Sequence, residues 1–143
     1  MKFTKNFSVE ELCHTDTGIE NIPTYQESEK LMYLAHFILQ PTRDKFGALK
    51  ITSGYRCEAV NAKVGSGKTS QHLLGEASDI VPLQADIDMV FDWMKTNLKY
   101  GQLIREHKVK DGKDIDWIHV SLPRYYGANM QTMIFKDGKY IIV

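Results

Sequence analysis

The order of predicted secondary structure along the chain is the feature that most constrains its fold. Up to Gly101, apolar residues recur mainly at helical spacing, over residues 27–46 and again over residues 85–98. After Gly101 the chain changes to short strand-like segments, at residues 102–106, 115–121, 131–135 and 140–143. Helices that come early and a run of strands that comes late favour an α+β fold, in which N-terminal helices pack on a mostly antiparallel sheet.

Local signals indicate where several elements begin or end. Ser8 and Glu11 have the spacing of a capping box, which predicts that a short helix begins here. Pro41 lies within the first long helical segment and is expected to kink it. A strand is expected at residues 48–53, and the Asp-Gly pair at residues 137–138 predicts a hairpin between the last two strands.

The length and composition are typical of a single domain that spans residues 1–143. A chain of 143 residues can bury roughly 68–70% of the surface that it exposes when unfolded. Hydrophobic residues make up 43% and charged residues 25%, as in ordinary globular proteins. Lys and Arg together number 18, as do Asp and Glu, so the chain lacks the basic excess that a nucleic-acid partner favours.

The N-terminus and the hydropathy of the chain bear on where the protein acts. The first residues turn acidic after position 7 and contain no apolar run of signal-peptide length. Nothing in the chain approaches the length of a membrane-spanning helix. We therefore expect synthesis in the cytoplasm and no membrane partner, with any export depending on another protein. We also expect a monomer.

The stretch VGSGKTSQHLLGEASDI, at residues 64–80, looks in its first half like a phosphate-binding loop. The GKT at residues 67–69 supplies the end of such a loop, but Ala62 stands where its first glycine is required. Residues 58–63 look helical rather than strand-like, and Gly75 disfavours the long helix that should follow. A surface loop with one lysine is the simpler interpretation, and no nucleotide is expected to bind.

The second half of the same stretch carries side chains that bind metals. His72 and Asp79 are seven residues apart, but Gly75 interrupts any helix between them, so Asp79 is expected in a loop that runs into a strand. His119 lies in the predicted strand 115–121, on the face opposite its apolar neighbours. Two histidines and one carboxylate leave the fourth tetrahedral position of zinc to water, as in catalytic sites. On spacing alone, a solvated or hydrogen-bonded histidine is the simpler alternative. We keep that alternative for His14, His36 and His107.

A set of short motifs then points to a known family. In chain order they are Ser53-Gly54-Tyr55-Arg56, Asn61, Val64-Gly65, Ser70-Gln71-His72, Gly75-Glu76-Ala77 with Asp79-Ile80, Gln102-Leu103-Ile104, and Trp117-Ile118-His119-Val120-Ser121. Together they resemble the M15 zinc peptidases, the D-alanyl-D-alanine carboxypeptidase family, and within it the compact type associated with phages and prophages. Similarity at residues 7–12 and 39–43 extends the match over most of residues 7–121.

The resemblance implies a fold, a cofactor and a reaction. It implies a small α+β fold of the hedgehog/DD-peptidase kind and a zinc ion bound by His72, Asp79 and His119. It also implies hydrolysis of peptide bonds in the stem peptides of bacterial cell-wall peptidoglycan. The bond would be either the terminal D-Ala-D-Ala bond or an internal L-Ala-D-Glu bond, and the sequence leaves both open.

Three further residues are expected on the substrate side of the site. Arg56 follows a predicted strand, and its planar guanidinium can bind a substrate carboxylate or carbonyl through two hydrogen bonds. Ser70 and Gln71 are grouped with Arg56, and we expect them to shape the turn and support the metal rather than to react. Without the surrounding motif, a surface salt bridge would be the simpler role for Arg56.

The general base has two candidates. A carboxylate near the zinc is needed to take a proton from the attacking water and to pass one to the leaving amine. Asp116 lies three residues before His119, the spacing of an acidic residue that does this work in several relatives. In a regular strand Asp116 would face away from His119, so this role requires a bend or bulge before Trp117. Glu106, at the end of the neighbouring strand, is the alternative, and we rank Asp116 first.

A different class of function remains open beside the enzyme. Hedgehog-type domains share the site with these peptidases, so the chain could be a catalytically inactive module that holds zinc and binds peptidoglycan or protein. The presence of two candidate carboxylates favours the enzyme. Without a signal peptide, two settings are compatible with it: a prophage endolysin released through a holin, or a cytoplasmic enzyme of wall recycling.

Overall fold

The computed structural model describes residues 1–124 and 129–143, which include a six-stranded sheet. The strands are β1 (Leu49–Ser53), β2 (Ala77–Pro82), β3 (Gln102–Lys110), β4 (Lys113–Ser121), β5 (Gln131–Lys136) and β6 (Lys139–Ile142). Their spatial order is β1-β2-β4-β3-β5-β6, and every neighbouring pair is antiparallel except β3 and β5, which are parallel. The predicted α+β architecture with a mostly antiparallel sheet is therefore confirmed.

The two strands that precede Gly101 join the same sheet as the four that follow it. Strand β2 lies between β1 and β4, so a strand from the helical half of the chain is the neighbour of the strand that carries His119. The predicted hairpin at residues 137–138 is formed, and Asp137 and Gly138 both have positive φ, at 52° and 76°. Such turns match the twist of the strands that they join.

The helical segments are α1 (Val9–Leu12), α2 (Tyr25–Leu34), a π-helical turn (Ala35–Leu39), α3 (Gln40–Phe46), α4 (Glu58–Lys63), a 3-10 helix (Gln71–Leu74) and α5 (Ile87–Asn97). The Ser8 hydroxyl accepts the Glu11 N–H at 3.2 Å, which confirms the predicted start of α1. Among the residues that the structure describes, no helix has both the length and the apolar character needed to cross a membrane.

The long helical segment predicted at residues 27–46 is continuous but irregular. It begins at Tyr25, where Thr24 and Glu27 form a capping box. The π-helical turn comes directly before α3, whose second residue is Pro41. Because proline has no N–H to donate to the preceding turn, the regular hydrogen-bond pattern is interrupted there in any case. In place of the kink expected at Pro41, the structure shows a change from α- to π-helix directly before α3.

The hydrophobic core lies between the helices and one face of the sheet. Leu103 on β3, and Ile118 and Val120 on β4, are buried in it together with side chains of α2 and α5. Because successive side chains of a strand alternate between its faces, Glu106 and His119 point to the opposite side. Burial of the apolar face therefore determines which polar residues of β3 and β4 share the other face.

Candidate metal centre

His72, Asp79 and His119 come together on the face of the sheet opposite the core. His72 lies in the 3-10 helix and Asp79 in β2, and Asp79 is the direct register partner of His119 on β4. One ligand atom of each residue lies within 4.8 Å of the others. His72 Nε2 is 3.4 Å, and His119 Nδ1 is 3.0 Å, from Asp79 Oδ1. The structure thus brings together the three residues predicted as metal ligands.

The hydrogen bonds of the two imidazole rings leave one nitrogen of each free for a metal. His72 Nδ1 lies 2.7 Å from the carbonyl oxygen of Gly54, which can only accept, so Nδ1 carries the proton and Nε2 the lone pair. His119 Nε2 donates to Gln71 Oε1 at 3.0 Å, which leaves the lone pair on Nδ1. Both of these nitrogens face the Asp79 carboxylate, to which a protonated ring can donate and beside which a neutral ring can offer its lone pair to a metal. Three electron-pair donors that converge in this way fit a zinc ion.

Local backbone geometry holds His72 in this orientation. The Ser70 hydroxyl caps the 3-10 helix by accepting the His72 N–H at 3.3 Å. Gly75 ends this helix in the left-handed region, with φ 71°, a conformation that favours glycine. A Cβ at Gly54 would collide with the carbonyl oxygen of Leu12, so only glycine allows the close approach there. The small residues of the motifs therefore serve to place a metal ligand.

The two imidazoles control the ionisation of Asp79. Burial by itself would raise the pKa of this carboxyl group, because a low-dielectric surrounding disfavours the charged form. The neighbouring His72 and His119 outweigh burial and hold the pKa of Asp79 well below its usual value. Asp79 is therefore an anionic ligand throughout the physiological pH range.

Glu106 lies beside the three ligands, in a cavity of about 480 Å³ that they line together. Its register partner is Trp117, two residues before His119, so Glu106 and His119 are diagonal neighbours on one face. Such neighbours are about 7–8 Å apart. Burial, followed by the negative charge of Asp79, raises the pKa of Glu106. A carboxyl group with a raised pKa is better matched to proton transfer near neutral pH.

Asp116 has its carboxylate on the other face of β4. The β3–β4 pairing runs its whole length without a register shift, so the bend expected before Trp117 is not formed. Although Asp116 borders a second cavity of about 520 Å³, its Oδ1 is 2.8 Å from Arg105 Nη1 and 2.9 Å from His107 Nδ1. These partners outweigh burial and lower the pKa of Asp116. The geometry thus favours Glu106 beside the metal ligands, the reverse of the order expected from the sequence.

Arg56 lies where the two cavities meet, since it borders both of them. Its Nη2 donates to Ser70 Oγ at 3.2 Å, whereas its buried Nε has no acceptor among the described residues. A buried N–H without an acceptor is unfavourable, and a substrate oxygen can supply one. Gln71, by contrast, is engaged by His119. Of the three residues expected on the substrate side, Arg56 is the one with a buried donor that lacks an acceptor among the described residues.

The cavity also contains side chains to which the sequence analysis assigned no role. Among them are Gln102, Arg124 and Tyr140. Arg124 lies three residues after the WIHVS motif, and Tyr140 lies on β6, which pairs with β5. No local pattern marks either residue, because the sheet topology alone brings them to the site.

The remaining sequence candidates lie outside this cluster. His14 contacts Asp16 at the surface, at 2.9 Å, and His36 is exposed. The predicted helix at residues 58–63 is confirmed as α4, so a helix rather than a strand precedes the GKT at residues 67–69. A short 3-10 helix follows it. This is not the strand–loop–helix context of a phosphate-binding loop.

Comparison with known proteins agrees with the geometry of the site. Residues 5–121 match the family model described as Peptidase M15, and this range includes all three ligands and Glu106. A search of curated proteins found no match. M15 peptidases are generally zinc-dependent, and the group formed by His72, Asp79 and His119 could hold such an ion. The chain therefore belongs to the peptidase M15 family of metallopeptidases.

Proposed function

We propose that the protein is a zinc peptidase that hydrolyses bonds in the stem peptides of bacterial peptidoglycan, either D-Ala-D-Ala or L-Ala-D-Glu. The proposal depends on one observation above all: three metal-ligand atoms converge within 4.8 Å beside Glu106, a carboxyl group with a raised pKa. Membership of the M15 family supports peptide hydrolysis in general. The resemblance of the SGYR, SQH and WIHVS motifs to wall peptidases supports this substrate class.

Each group of the cavity has its own task in this reaction. Zinc held by His72, Asp79 and His119 would supply a Lewis acid that lowers the pKa of water to about 7 and polarises the scissile carbonyl. Glu106 removes a proton from the attacking water as the water oxygen bonds to the carbonyl carbon. Glu106 then gives a proton to the amide nitrogen as the C–N bond breaks, so the products are a carboxylic acid and an amine.

Arg56 orients the substrate in this proposal. Its buried Nε is available for a substrate oxygen, and its Nη2 is already fixed by Ser70. A carbonyl or carboxylate oxygen placed there would be held through a charge-assisted hydrogen bond. Asp116 takes no part, because Arg105 and His107 engage its carboxylate on the other face.

Mass spectrometry of purified stem peptides after incubation with zinc-loaded protein tests the proposal. We expect loss of a terminal D-Ala, or release of L-Ala, and the product identifies the bond. His119→Ala should abolish cleavage because it removes a metal ligand. His107→Ala is the matched control, since it removes a histidine from the other face, and it should retain cleavage. If the zinc-replete protein cleaves no stem peptide, hydrolysis is wrong and the zinc-containing binding module takes its place.

A further inference from the structure

Arg124 enters the metal cavity from the segment that follows β4, and Glu76 holds its guanidinium in place. Glu76 Oε2 accepts from Arg124 Nε at 2.9 Å and is 2.8 Å from Arg124 Nη2. The other carboxylate oxygen, Oε1, accepts from Lys30 Nζ at 3.1 Å. Glu76 is only 8% exposed, so the arginine is fixed to a buried and fully engaged carboxylate.

This contact orients Arg124 without cancelling the charge of the cluster. Arg124 and Lys30 are two cations that share the single negative charge of Glu76, so one positive charge remains. Because the guanidinium is planar, an arginine that presents Nε and Nη2 to Glu76 directs its Nη1 group away from that carboxylate. A side chain that is ordered before its ligand arrives loses less entropy on binding. Arg124 therefore has the properties of a preorganised anion-binding group.

The charges that line the cavity indicate what it would bind. Arg56 and Arg124 are both cations, whereas of the two acidic side chains Asp79 belongs to the metal ligands and Glu106 is the proton-transferring group. The buried Nε of Arg56 also has no acceptor among the described residues. A ligand with two separate oxygen groups, one of them anionic, would satisfy both arginines.

We propose that Arg124, positioned by Glu76, is the anchor for a carboxylate of the substrate, while Arg56 contacts the region of the scissile bond. The inference rests on the proposed hydrolysis of stem peptides and adds a specificity-determining residue to it. The carboxylate can be the C-terminus of the peptide or that of an acidic residue within it. A guanidinium recognises both through the same pair of hydrogen bonds.

Kinetics on two pairs of synthetic stem peptides test the anchor and identify the source of the carboxylate. In the first pair the C-terminal D-Ala is either the free acid or the amide. In the second pair the free carboxylate of the D-Glu residue is either retained or amidated. We expect a preference for the acid in one pair of about 10- to 150-fold in kcat/KM, the range for a hydrogen bond to a charged group. The preference should reside in KM, because the anchor binds ground state and transition state alike.

Variants separate anchoring from a structural role. Arg124→Gln should abolish the preference for the acid, and Arg124→Lys should retain part of it because the charge remains without the planar fork. Glu76→Gln should give an intermediate preference, since the cation remains but its orientation loosens. Arg43→Gln is the matched control, because it removes an arginine of α3 that does not line the cavity. An equal loss for acid and amide in Arg124→Gln would show a structural role only and overturn the inference.

Calorimetry distinguishes failure of the anchor from failure of the proposed function. Zinc-loaded Glu106→Gln protein, which lacks the proton-transferring group, is titrated with the same acid and amide peptides, with and without Arg124→Gln. Tighter binding of one acid, lost with Arg124→Gln, supports the anchor even if the wild-type protein cleaves neither peptide. Equal affinity for acid and amide in both pairs overturns the anchor even if the wild-type protein cleaves them all.

Discussion

Glu106 and Asp116 lie on opposite faces of the β3–β4 hairpin, and their pKa values are shifted in opposite directions. On one face, Glu106 and the candidate ligand Asp79 are two carboxyl groups that line the same cavity, and burial, followed by the negative charge of Asp79, raises the pKa of Glu106. On the other face, Asp116 lies against Arg105 and His107, and these partners lower its pKa. Glu106 lies between Arg105 and His107 in sequence and differs from them in the side of the sheet that it occupies.

The difference shows how a carboxylate that stabilises the fold can be distinguished from one that transfers protons in catalysis. A carboxylate matched by cations stabilises the folded chain and has little reason to exchange its proton. A carboxyl group near another carboxylate is less stable when ionised, and it is ready to move a proton once a substrate arrives. The neighbours of a carboxyl group in space, more than its sequence distance from a histidine, indicate its role. Three measurements test this contrast.

The greatest difference in kcat is expected between Glu106→Gln and Asp116→Asn. Glu106→Gln should lower kcat for stem-peptide cleavage by about 10²- to 10⁴-fold, the usual contribution of a general acid–base group. Asp116→Asn should change kcat by less than about 5-fold, since an ion pair of this exposure contributes about 1 kcal/mol or less to stability and none to the chemistry. Steady-state kinetics on one stem peptide, at equal zinc loading, gives both numbers. A larger loss in Asp116→Asn than in Glu106→Gln would restore Asp116 as the base.

A smaller effect is expected for the hydrogen bond that orients His119. Gln71→Ala removes the acceptor of His119 Nε2 and should weaken zinc binding by about 10- to 100-fold, as outer partners of metal-bound histidines commonly do. The affinity is measured by competition with a chromophoric chelator. His107→Ala, on the opposite face, is the control and should bind zinc as the wild type does. Equal zinc affinity in Gln71→Ala and wild type would show that the bond does not support the ligand.

The smallest effect concerns stability and its dependence on pH. Asp116 is 36% exposed, so Asp116→Asn should lower the free energy of unfolding by about 1 kcal/mol or less at neutral pH. Because the folded-state pKa of Asp116 is lowered, its contribution is present above the unfolded pKa and is lost as pH falls through the folded pKa. Urea denaturation of metal-free protein should therefore show a difference between wild type and Asp116→Asn that shrinks in acid.

Glu106→Gln should change the free energy of unfolding in the opposite direction in the same experiment. The folded-state pKa of Glu106 is raised, so its ionisation above the unfolded pKa reduces stability. Metal-free Glu106→Gln should therefore be at least as stable as wild type at neutral pH, with the difference vanishing below the unfolded pKa. A stability difference for Asp116→Asn that stays constant with pH, or a clear destabilisation by Glu106→Gln, would contradict the contrast between the faces.

The resemblance of the motifs to the M15 family predicts the candidate metal ligands, and local geometry accounts for how two of them are presented. Ser70 and Gly75 delimit the turn that presents His72, and the alternation of β4 places His119 away from the core. The order Asp116 before Glu106 requires a bend that the regular β3–β4 pairing does not contain. Strand alternation alone, applied without the expected bend, would have favoured Glu106.

Arg124 and Glu76 could not be paired from the sequence. They are 48 residues apart, and neither has a local signal that names the other. Their contact depends on the packing of β2 beside β4, where the Leu122 N–H donates to the Glu76 carbonyl oxygen at 2.8 Å just beyond the paired residues. An ion pair of this kind is a property of the assembled sheet.

Through their resemblance to a family, the motifs predict the three candidate ligands, whereas local patterns predict the order of helices and strands, the start of α1 and the last hairpin turn. The elements and the turn depend on interactions within a few residues: capping hydrogen bonds, turn dihedral angles and the period of apolar side chains. The position of Glu106, rather than Asp116, beside the candidate ligands and the entry of Arg124 into the cavity follow from the tertiary structure. For Glu106 and Asp116 this is because burial of an apolar face sets the strand register, and a shift of one residue would exchange the two faces completely.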